Sequence, residues 1–367
     1  MSKKKYRVAV IGTGMIANAA HIPAWKALKD AVEVVAVADI RPEAANETAA
    51  RYAIPQAYAD PQKMLDEVKP DIVSVCTPNV YHKTWTLAGL RAGAHVLCEK
   101  PLAVTYADAL EMFQAADRAG RVLYPSQSLR WINAFTAAKH IADSGALGEV
   151  YYAEISCIRR RGVPKWGFFH MKEHNAGGPL CDLGVHMIDS LYWIIGNPKV
   201  QSAVGSTYLQ FGNKDEGLVT SLADSGAPIG VFTPRPYDFH EFNVEDFASG
   251  FIRLEGGITV LIRASWAVNM PESFYMTIAG SRGGMHLPPL TLYNNLGKYQ
   301  SEAALKVPSD PDIPFYGHYG LVENMIQFLN GEAERVVKPE ETLNVIRTIE
   351  TLYRSAETGK EVVIQSI

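Results

Sequence analysis

At roughly 150 residues per domain, a chain of 367 residues is long enough for about two domains. Its 35 Lys and Arg against 39 Asp and Glu leave a net charge of −4, and no charge run exceeds the Lys3–Lys5 triplet, which argues against a nucleic-acid surface. Hydrophobic residues make up 47% and charged residues 20%, as in a soluble globular protein, and no apolar run reaches the ~18 residues of a membrane span.

The basic start runs directly into the apolar stretch Val8–Ile11 and then a glycine turn, so it reads as a strand rather than a signal peptide. Segments then alternate. Met15–Lys29, Pro42–Tyr52, Thr84–Arg91 and Tyr106–Ala119 have helical composition, while Glu33–Asp39, Asp71–Cys76, His95–Cys98 and Val122–Tyr124 are short β-rich apolar runs. That alternation predicts a parallel sheet with helices on both faces, joined by right-handed crossovers. The first turn reads Gly12-Thr13-Gly14-Met15-Ile16-Ala17, between a strand and a helix. Gly12 permits the tight turn, Gly14 lets the backbone approach a pyrophosphate, and Ala17 allows close helix–strand packing. The helix N-terminus then offers free N–H groups to the phosphates. Asp39, at the end of the second strand, is placed to accept ribose hydroxyls and to repel a 2′-phosphate, which predicts NAD over NADP; Arg41 lies over the adenine or in solvent. Further strand ends carry Thr77-Pro78-Asn79, with His82 opening the next helix, and Glu99-Lys100-Pro101, whose Lys–Pro bond the sequence leaves open as cis or trans.

Near residue 125 the pattern changes. After one helix, Ile132–Ser144, come long β-rich stretches: Glu149–Arg161, Val200–Phe211, Phe247–Leu254, Ile258–Val268 and Phe274–Ala279. They predict one large, mostly antiparallel sheet in an α+β domain over 126–367, following a nucleotide domain over 1–125. A helix at Pro179–Ile195 interrupts the strands, and helices Tyr319–Asn330 and Pro339–Thr358 follow late. Residues 213–243, rich in Gly, Pro and charge, read as an irregular excursion. The cysteines Cys76, Cys98, Cys157 and Cys181 stand 22, 59 and 24 residues apart, neither a disulfide framework nor a zinc spacing. The expected compartment is the reducing cytoplasm.

Two patterns between Phe168 and His186 compete for chemistry. His170, Glu173 and His174 match the H-x-x-E-H spacing of one metallopeptidase class, but Asn175–Pro179 breaks any helix at once, so no metal site is expected. Asp182 and His186 lie four apart on the helix opened by Pro179 and share one otherwise apolar face. Either they form a satisfied core ion pair, or His186 is a general base whose pKa Asp182 raises.

Together, the GTGMIA turn, Glu99-Lys100-Pro101 and Gly177–His186 resemble the Gfo/Idh/MocA oxidoreductases, across essentially the whole chain. The resemblance implies a Rossmann domain followed by a large-sheet domain, NAD as cofactor, and catalytic Lys100, Asp182 and His186. It places Gly12, Thr13, Gly14, Met15, Ile16, Asp39, Arg41, Thr77, Pro78, Asn79, His82, Glu99, Lys100 and Gln127 around the dinucleotide. Substrate contacts are expected from Lys100, Arg130, Tyr152, Trp166, Asp182 and His186, with Asn133, Arg159, Phe168, His170, His174 and Asn175 near the cleft. The implied reaction oxidises a secondary hydroxyl of a sugar, cyclitol or glycoside, with His186 or Lys100 taking the proton and Asp182 orienting. Alternatives are a glycosidase that retains NAD and oxidises transiently, a non-catalytic NAD-bound sensor, and a zinc peptidase. No membrane partner is expected; a homodimer or homotetramer is.

Overall fold

The structure is a computed structural model that describes residues 5–214 and 230–365. Lys3 and Lys4 of the basic triplet, and 215–229 of the irregular excursion, lie outside the described residues. The first half opens with β1 (Tyr6–Ile11) and a helical run containing a π-turn, Ala17–His21, that leads into α1 (Ile22–Ala27). Then come β2 (Val32–Ala38), α2 (Pro42–Tyr52), β3 (Gln56–Tyr58), α3 (Pro61–Val68), β4 (Ile72–Val75), α4 (His82–Arg91), β5 (His95–Cys98), α5 (Tyr106–Ala119) and β6 (Leu123–Pro125). The strands pair in the order β3-β2-β1-β4-β5-β6, all parallel. The order reverses between β1 and β4, and the crevice outside the carboxyl ends of strands at such a reversal is where α/β sheets bind ligands.

Local chemistry sets the ends of these helices. The Thr105 hydroxyl accepts the Asp108 N–H at 3.1 Å to start α5, and Gly120 closes it in the left-handed conformation. Pro42 and Pro61 take early positions in α2 and α3, where a missing N–H costs nothing. The predicted uniform helix over 15–29 is instead widened before α1, where Ile22 N–H bonds back to Ala17 O. Pro23 explains the interruption, because its ring crowds the preceding turn and it lacks a donor.

The second half holds α6 (Asn133–Asp143), β7 (Val150–Ile158), the single turn α7 (Lys172–Asn175), a π-turn Leu180–Gly184 running into α8 (Val185–Ile194), and β8 (Val200–Tyr208). It continues with β9 (Phe247–Leu254), β10 (Thr259–Ser265), β11 (Ser273–Gly280), β12 (Gly283–Leu287), β13 (Thr291–Leu296), β14 (Tyr299–Ala304), α9 (Gly317–Leu329), α10 (Pro339–Thr358) and β15 (Val362–Val363). A nine-stranded sheet runs β14-β13-β12-β11-β7-β10-β9-β8-β15, antiparallel except where β10 meets β7. One face buries Ala153, Ile155, Ile252, Ile262 and Ile278 against Ile188 and Leu191 of α8 and Ile349 and Leu352 of α10. The predicted continuous helix over 179–195 is corrected in its first turn, which is π, with Val185 N–H bonding to Leu180 O. Late in the chain α9 returns to the first sheet. Its Leu321, Val322, Met325 and Ile326 share a core with Val8, Val10, Ile72 and Leu97.

Candidate active site

The dinucleotide end is built from the carboxyl ends of the parallel strands. Gly12 has φ +89°, and a Cβ there would sit 2.7 Å from the Cys76 carbonyl, so the turn is pressed against the end of β4 as only glycine permits. At Gly14 a Cβ would meet nothing within 4 Å, so the fingerprint backbone borders open space. Asp39 is buried. Its Oδ2 accepts the Thr13 N–H at 2.8 Å and the Thr13 hydroxyl at 3.0 Å, and its Oδ1 accepts the Arg41 N–H at 2.9 Å. The carboxylate therefore ties the first turn to the start of α2 and keeps lone pairs for ribose hydroxyls. Farther along the crevice, Thr77 Oγ1, Ser126 Oγ and both amide atoms of Gln127 are buried with no partner among the described residues. Buried polar atoms without partners are rare and costly. Their concentration at the ends of β4 and β6 fits a polar ligand, and with the glycine turn and Asp39 they fit NAD.

The predicted catalytic residues come together where Glu99-Lys100-Pro101 leaves β5, with a cis Lys100–Pro101 peptide bond. Lys100 Nζ donates to Asp182 Oδ1 at 2.9 Å and to Asp182 O at 3.0 Å. Asp182 Oδ2 accepts the Trp266 indole N–H at 3.0 Å. Asp182 rides on the π-turn before α8. Gly178 N–H and Leu180 N–H at the start of that turn are received by the buried Glu245 carboxylate, at 2.9 and 3.4 Å, and Tyr353 OH donates to it at 2.6 Å. Burial alone would raise the Asp182 carboxyl, but the Lys100 and Arg159 cations and its two hydrogen bonds hold it below the usual value. Asp182 is therefore committed to Lys100, and the expected Asp182–His186 pair is corrected. His186 Nδ1 is buried with no partner among the described residues. Burial and the Lys100 charge push its pKa down to about 3, opposite to the expected rise, so the imidazole is neutral at working pH.

Beneath Lys100 lies a buried polar cluster. His21 Nε2 and Glu99 Oε1 are 2.7 Å apart, His21 Nδ1 and Ser74 Oγ 2.7 Å, and His318 Nε2 and Glu99 Oε1 3.4 Å. Trp25 Nε1 donates to Ser74 at 3.3 Å. Burial lowers the His21 pKa, against the raising effect of the Glu99 hydrogen bond and charge. One proton arrangement links Trp25, Ser74, His21 and Glu99: Trp25 N–H to Ser74 O, Ser74 O–H to Nδ1, and Nε2–H to Glu99. Burial opposes the Glu99 charge, but the bonds from His21 and His318 hold its carboxyl well below the ordinary range.

Other predicted residues are placed elsewhere. Arg130 does not reach a substrate: it is fully buried, paired with Asp189 at 2.6 and 2.9 Å and Glu341 at 2.5 Å, and bonded to Val336 O. Tyr152 alternates with core residues Ala153 and Ile155 on β7 and so lies on the opposite, open sheet face, beside Glu154 and Arg263. His82 is fully buried between the Thr77 and Pro101 carbonyls, at 2.9 and 2.8 Å, and braces the two loops instead of facing the cofactor. Asn133 N–H and side chain bond to Asp310 and Pro308 O. The loop between β7 and α8 does approach the site. Trp166 is buried, its indole N–H has no partner among the described residues, and it packs on Phe169, which lies edge-on to Trp266. The His174 and Phe168 rings meet at a tilt of 42°, 4.4 Å between centroids, and Asn79 Nδ2 donates to Asn175 O at 2.9 Å, linking this loop to the turn after β4. His170 points to Glu241 and Tyr237, and His174 to Tyr81, so the H-x-x-E-H residues do not converge.

Sequence reasoning missed His21, Glu245, Trp266 and His318. His21 follows the glycine turn at a spacing that only the π-turn makes meaningful. The other three contact their partners across 67, 84 and 219 residues, beyond any local signal.

Residues 6–127 match a family model described as "Oxidoreductase family, NAD-binding Rossmann fold", and 135–286 match one described as "GFO/IDH/MocA C-terminal domain". D-glucoside 3-dehydrogenase of Escherichia coli (strain K12) is 33% identical over 365 residues, which cover 99% of this chain and 98% of that protein. scyllo-Inositol 2-dehydrogenase (NADP(+)) of Bacillus subtilis (strain 168) is 24% identical over 98% and 96% of the two chains. In fold, the chain resembles a levoglucosan dehydrogenase solved in complex with NADH, with a TM-score of 0.81 over 99% of this chain and 100% of that one, at 18% identity.

Proposed function

The chain belongs to the Gfo/Idh/MocA oxidoreductase family, and from that premise we propose that it oxidises a secondary hydroxyl of a pyranose ring, in the first instance the C3 hydroxyl of a D-glucoside, to the ketone. The observation that carries this reading is the Lys100–Asp182 pair at the end of β5, beside a neutral His186. An ammonium group has three donors. Asp182 takes two of them, which leaves one N–H for a substrate oxygen. Lys100 is assigned proton exchange with the reacting hydroxyl: as the free amine it takes the hydroxyl proton on oxidation, and as the ammonium so formed it donates to the substrate oxygen and returns the proton on reduction. Neutral His186 is assigned the role of hydrogen-bond partner that orients the hydroxyl, and Trp266 fixes Asp182 from behind. Bound NAD supplies the hydride acceptor. Gly12–Ile16, Asp39, Thr77, Asn79 and Gln127 would hold it, with Asp39 selecting against a 2′-phosphate. Trp166 and Phe168 supply aromatic surface for the apolar face of a sugar ring.

The division near residue 125, a cytoplasmic location and a homo-oligomeric state belong to the same proposal. Among the described residues no helix is long and apolar enough to cross a membrane. The test is NADH formation with methyl glucosides, glucose, inositols, a 2-hydroxy acid and a simple alcohol, with the product located by NMR. Glucosides should give the highest kcat/KM and a C3 ketone. A higher value for the 2-hydroxy acid or the simple alcohol overturns the substrate reading. Bond cleavage of the glucoside without NADH release would identify an NAD-retaining glycosidase instead.

A further inference from the structure

The stretch Phe315–Gly320 is built in a way that packing alone does not require. Phe315 has φ +55°, a left-handed conformation that is a genuine outlier for a bulky side chain. Two residues on, a Cβ at Gly317 would lie 2.2 Å from the Ser128 carbonyl, and at Gly320 one would lie 2.3 Å from the Trp131 ring. The start of α9 is thus drawn against residues 128–131 more closely than any other residue type allows. Between the two glycines stands His318. Its ring is buried, 5.2 Å from His21 between centroids, with Nε2 directed at Glu99 Oε1 and Nδ1 facing the Phe315 carbonyl at 3.3 Å. The other Glu99 oxygen, Oε2, accepts the backbone N–H of Lys100 at 3.1 Å.

We infer that His318 is a positioning residue for the reaction. Delivered from the far end of the chain, it joins His21 on Glu99 Oε1, which leaves Oε2 turned to the backbone from which Lys100 reaches Asp182. The inference rests on the assignment of Lys100 above. It also explains why a buried carboxylate is kept directly beside the reacting lysine: without both imidazoles the carboxylate loses its support and rotates, and Lys100 moves with it. His21, Glu99 and His318 also place three ligand-type atoms within 4.8 Å of one another, the grouping a metal ion uses. The 2.7 Å His21–Glu99 contact, however, is a hydrogen-bond distance and is shorter than the ligand–ligand spacing about a metal with bonds of about 2.0–2.1 Å.

The test compares His318→Phe and His318→Leu, which remove the donor, with His318→Gln, which restores one. The expected result is a fall in kcat of about 10- to 100-fold for the donor-free variants, the scale of a small misplacement of a catalytic group. KM and NAD affinity should stay near wild type, and Gln should recover activity to within several-fold. In a crystal structure of a donor-free variant, Lys100 Nζ should stand out of hydrogen-bond reach of Asp182. Donor-free variants that keep wild-type kcat and the Lys100–Asp182 contact overturn the inference, as does failure of Gln to improve on Leu. One equivalent of metal in the purified enzyme, removed together with activity by a chelator, also overturns it. If the wild type turns over no carbohydrate, the proposed function fails on its own, and the Lys100 position in the variant structures decides this inference.

Discussion

Lys100 is held by its side chain on Asp182 and by its backbone on Glu99, so the consequences of its removal separate from those of misfolding. Lys100→Ala is expected to lower kcat by at least about 100-fold, the usual scale for an acid–base or charge-stabilising group, while NAD titration by fluorescence gives a near wild-type affinity. Arg130 has the opposite signature. Its charge is fully buried and paired, so Arg130→Ala leaves Asp189 and Glu341 uncompensated and should cost about 3–5 kcal/mol in denaturant unfolding, with KM unchanged in the protein that remains folded. His186 gives a pH dependence of stability. Its folded pKa is about 3 against an ordinary 6.5. Above pH 6.5 both states are neutral and the full stability is present. Between 6.5 and 3 the unfolded chain binds the extra proton, so stability falls with falling pH, by up to about 1.4 kcal/mol per unit. His21 and His82, also lowered by burial, act in the same direction. The melting temperature should therefore drop steeply from pH 7 to 5, and less steeply in His186→Leu. By the same reasoning, His186 introduces no inflection in kcat/KM between pH 5 and 8, and the profile of His186→Gln should be lower but of the same shape.

At the scale of elements, the helix that carries Asp182 depends on how closely its first turn meets Glu245. A Cβ at Gly178 would lie 2.0 Å from the Glu245 carbonyl, an overlap that only backbone movement relieves. Gly178→Ala should therefore displace the π-turn, destabilise the fold by about 1–3 kcal/mol, and reduce kcat more than a surface Gly→Ala change of equal stability, measured by unfolding and turnover on the same samples. The turn at 177–179 was visible in the sequence as a helix start, but its π character was not, because no composition signal marks one carbonyl skipping a turn. The parallel strands and their glycine fingerprint were legible because each is a short apolar run ending in a functional residue. β3 and α3, between Ala53 and Pro70, were not singled out. β3 is a three-residue edge strand, and α3 has a short apolar face. β12 to β14 were also missed. Their sequences, such as Thr291–Leu296 with two adjacent asparagines, alternate too weakly to declare strands, and pairing to β11 supplies what the sequence lacks. The Lys100–Asp182 meeting followed from resemblance, whereas Trp266, Glu245 and His318 became visible only once the sheet and α9 brought distant segments together.

For the whole molecule, the described residues cover the nine-stranded sheet on one face only. The helices α6, α8 and α10 and the site lie on that side. The other face carries Val204, Tyr208, Phe247, Phe251 and Leu261 on adjacent strands, with Tyr208 and Phe247 stacked at 5.4 Å. It also carries a polar centre in which Arg263 donates to Glu154 at 2.9 Å and to Tyr275 at 2.8 Å. At strand spacings of about 4.8 Å the sheet is roughly 40 Å wide, ample for the ~800 Å² per partner of a stable interface. An exposed apolar patch across β8, β9 and β10, bordered by a satisfied polar group on β7, β10 and β11, is the composition expected of a surface that packs against its own copy about a two-fold axis. The wild type should therefore sediment as a dimer or a multiple of one. Val204→Glu combined with Leu261→Glu sets four carboxylates in one symmetric apolar contact and should give the mass of a single chain. Because both substitutions lie across the sheet from Lys100 and Asp182, kcat with the preferred substrate should change by less than about threefold when assayed at concentrations where the variant is folded. A wild type that sediments as a single chain at tens of micromolar, or a double variant that keeps the wild-type mass, places the interface elsewhere and leaves the open face without an assigned partner.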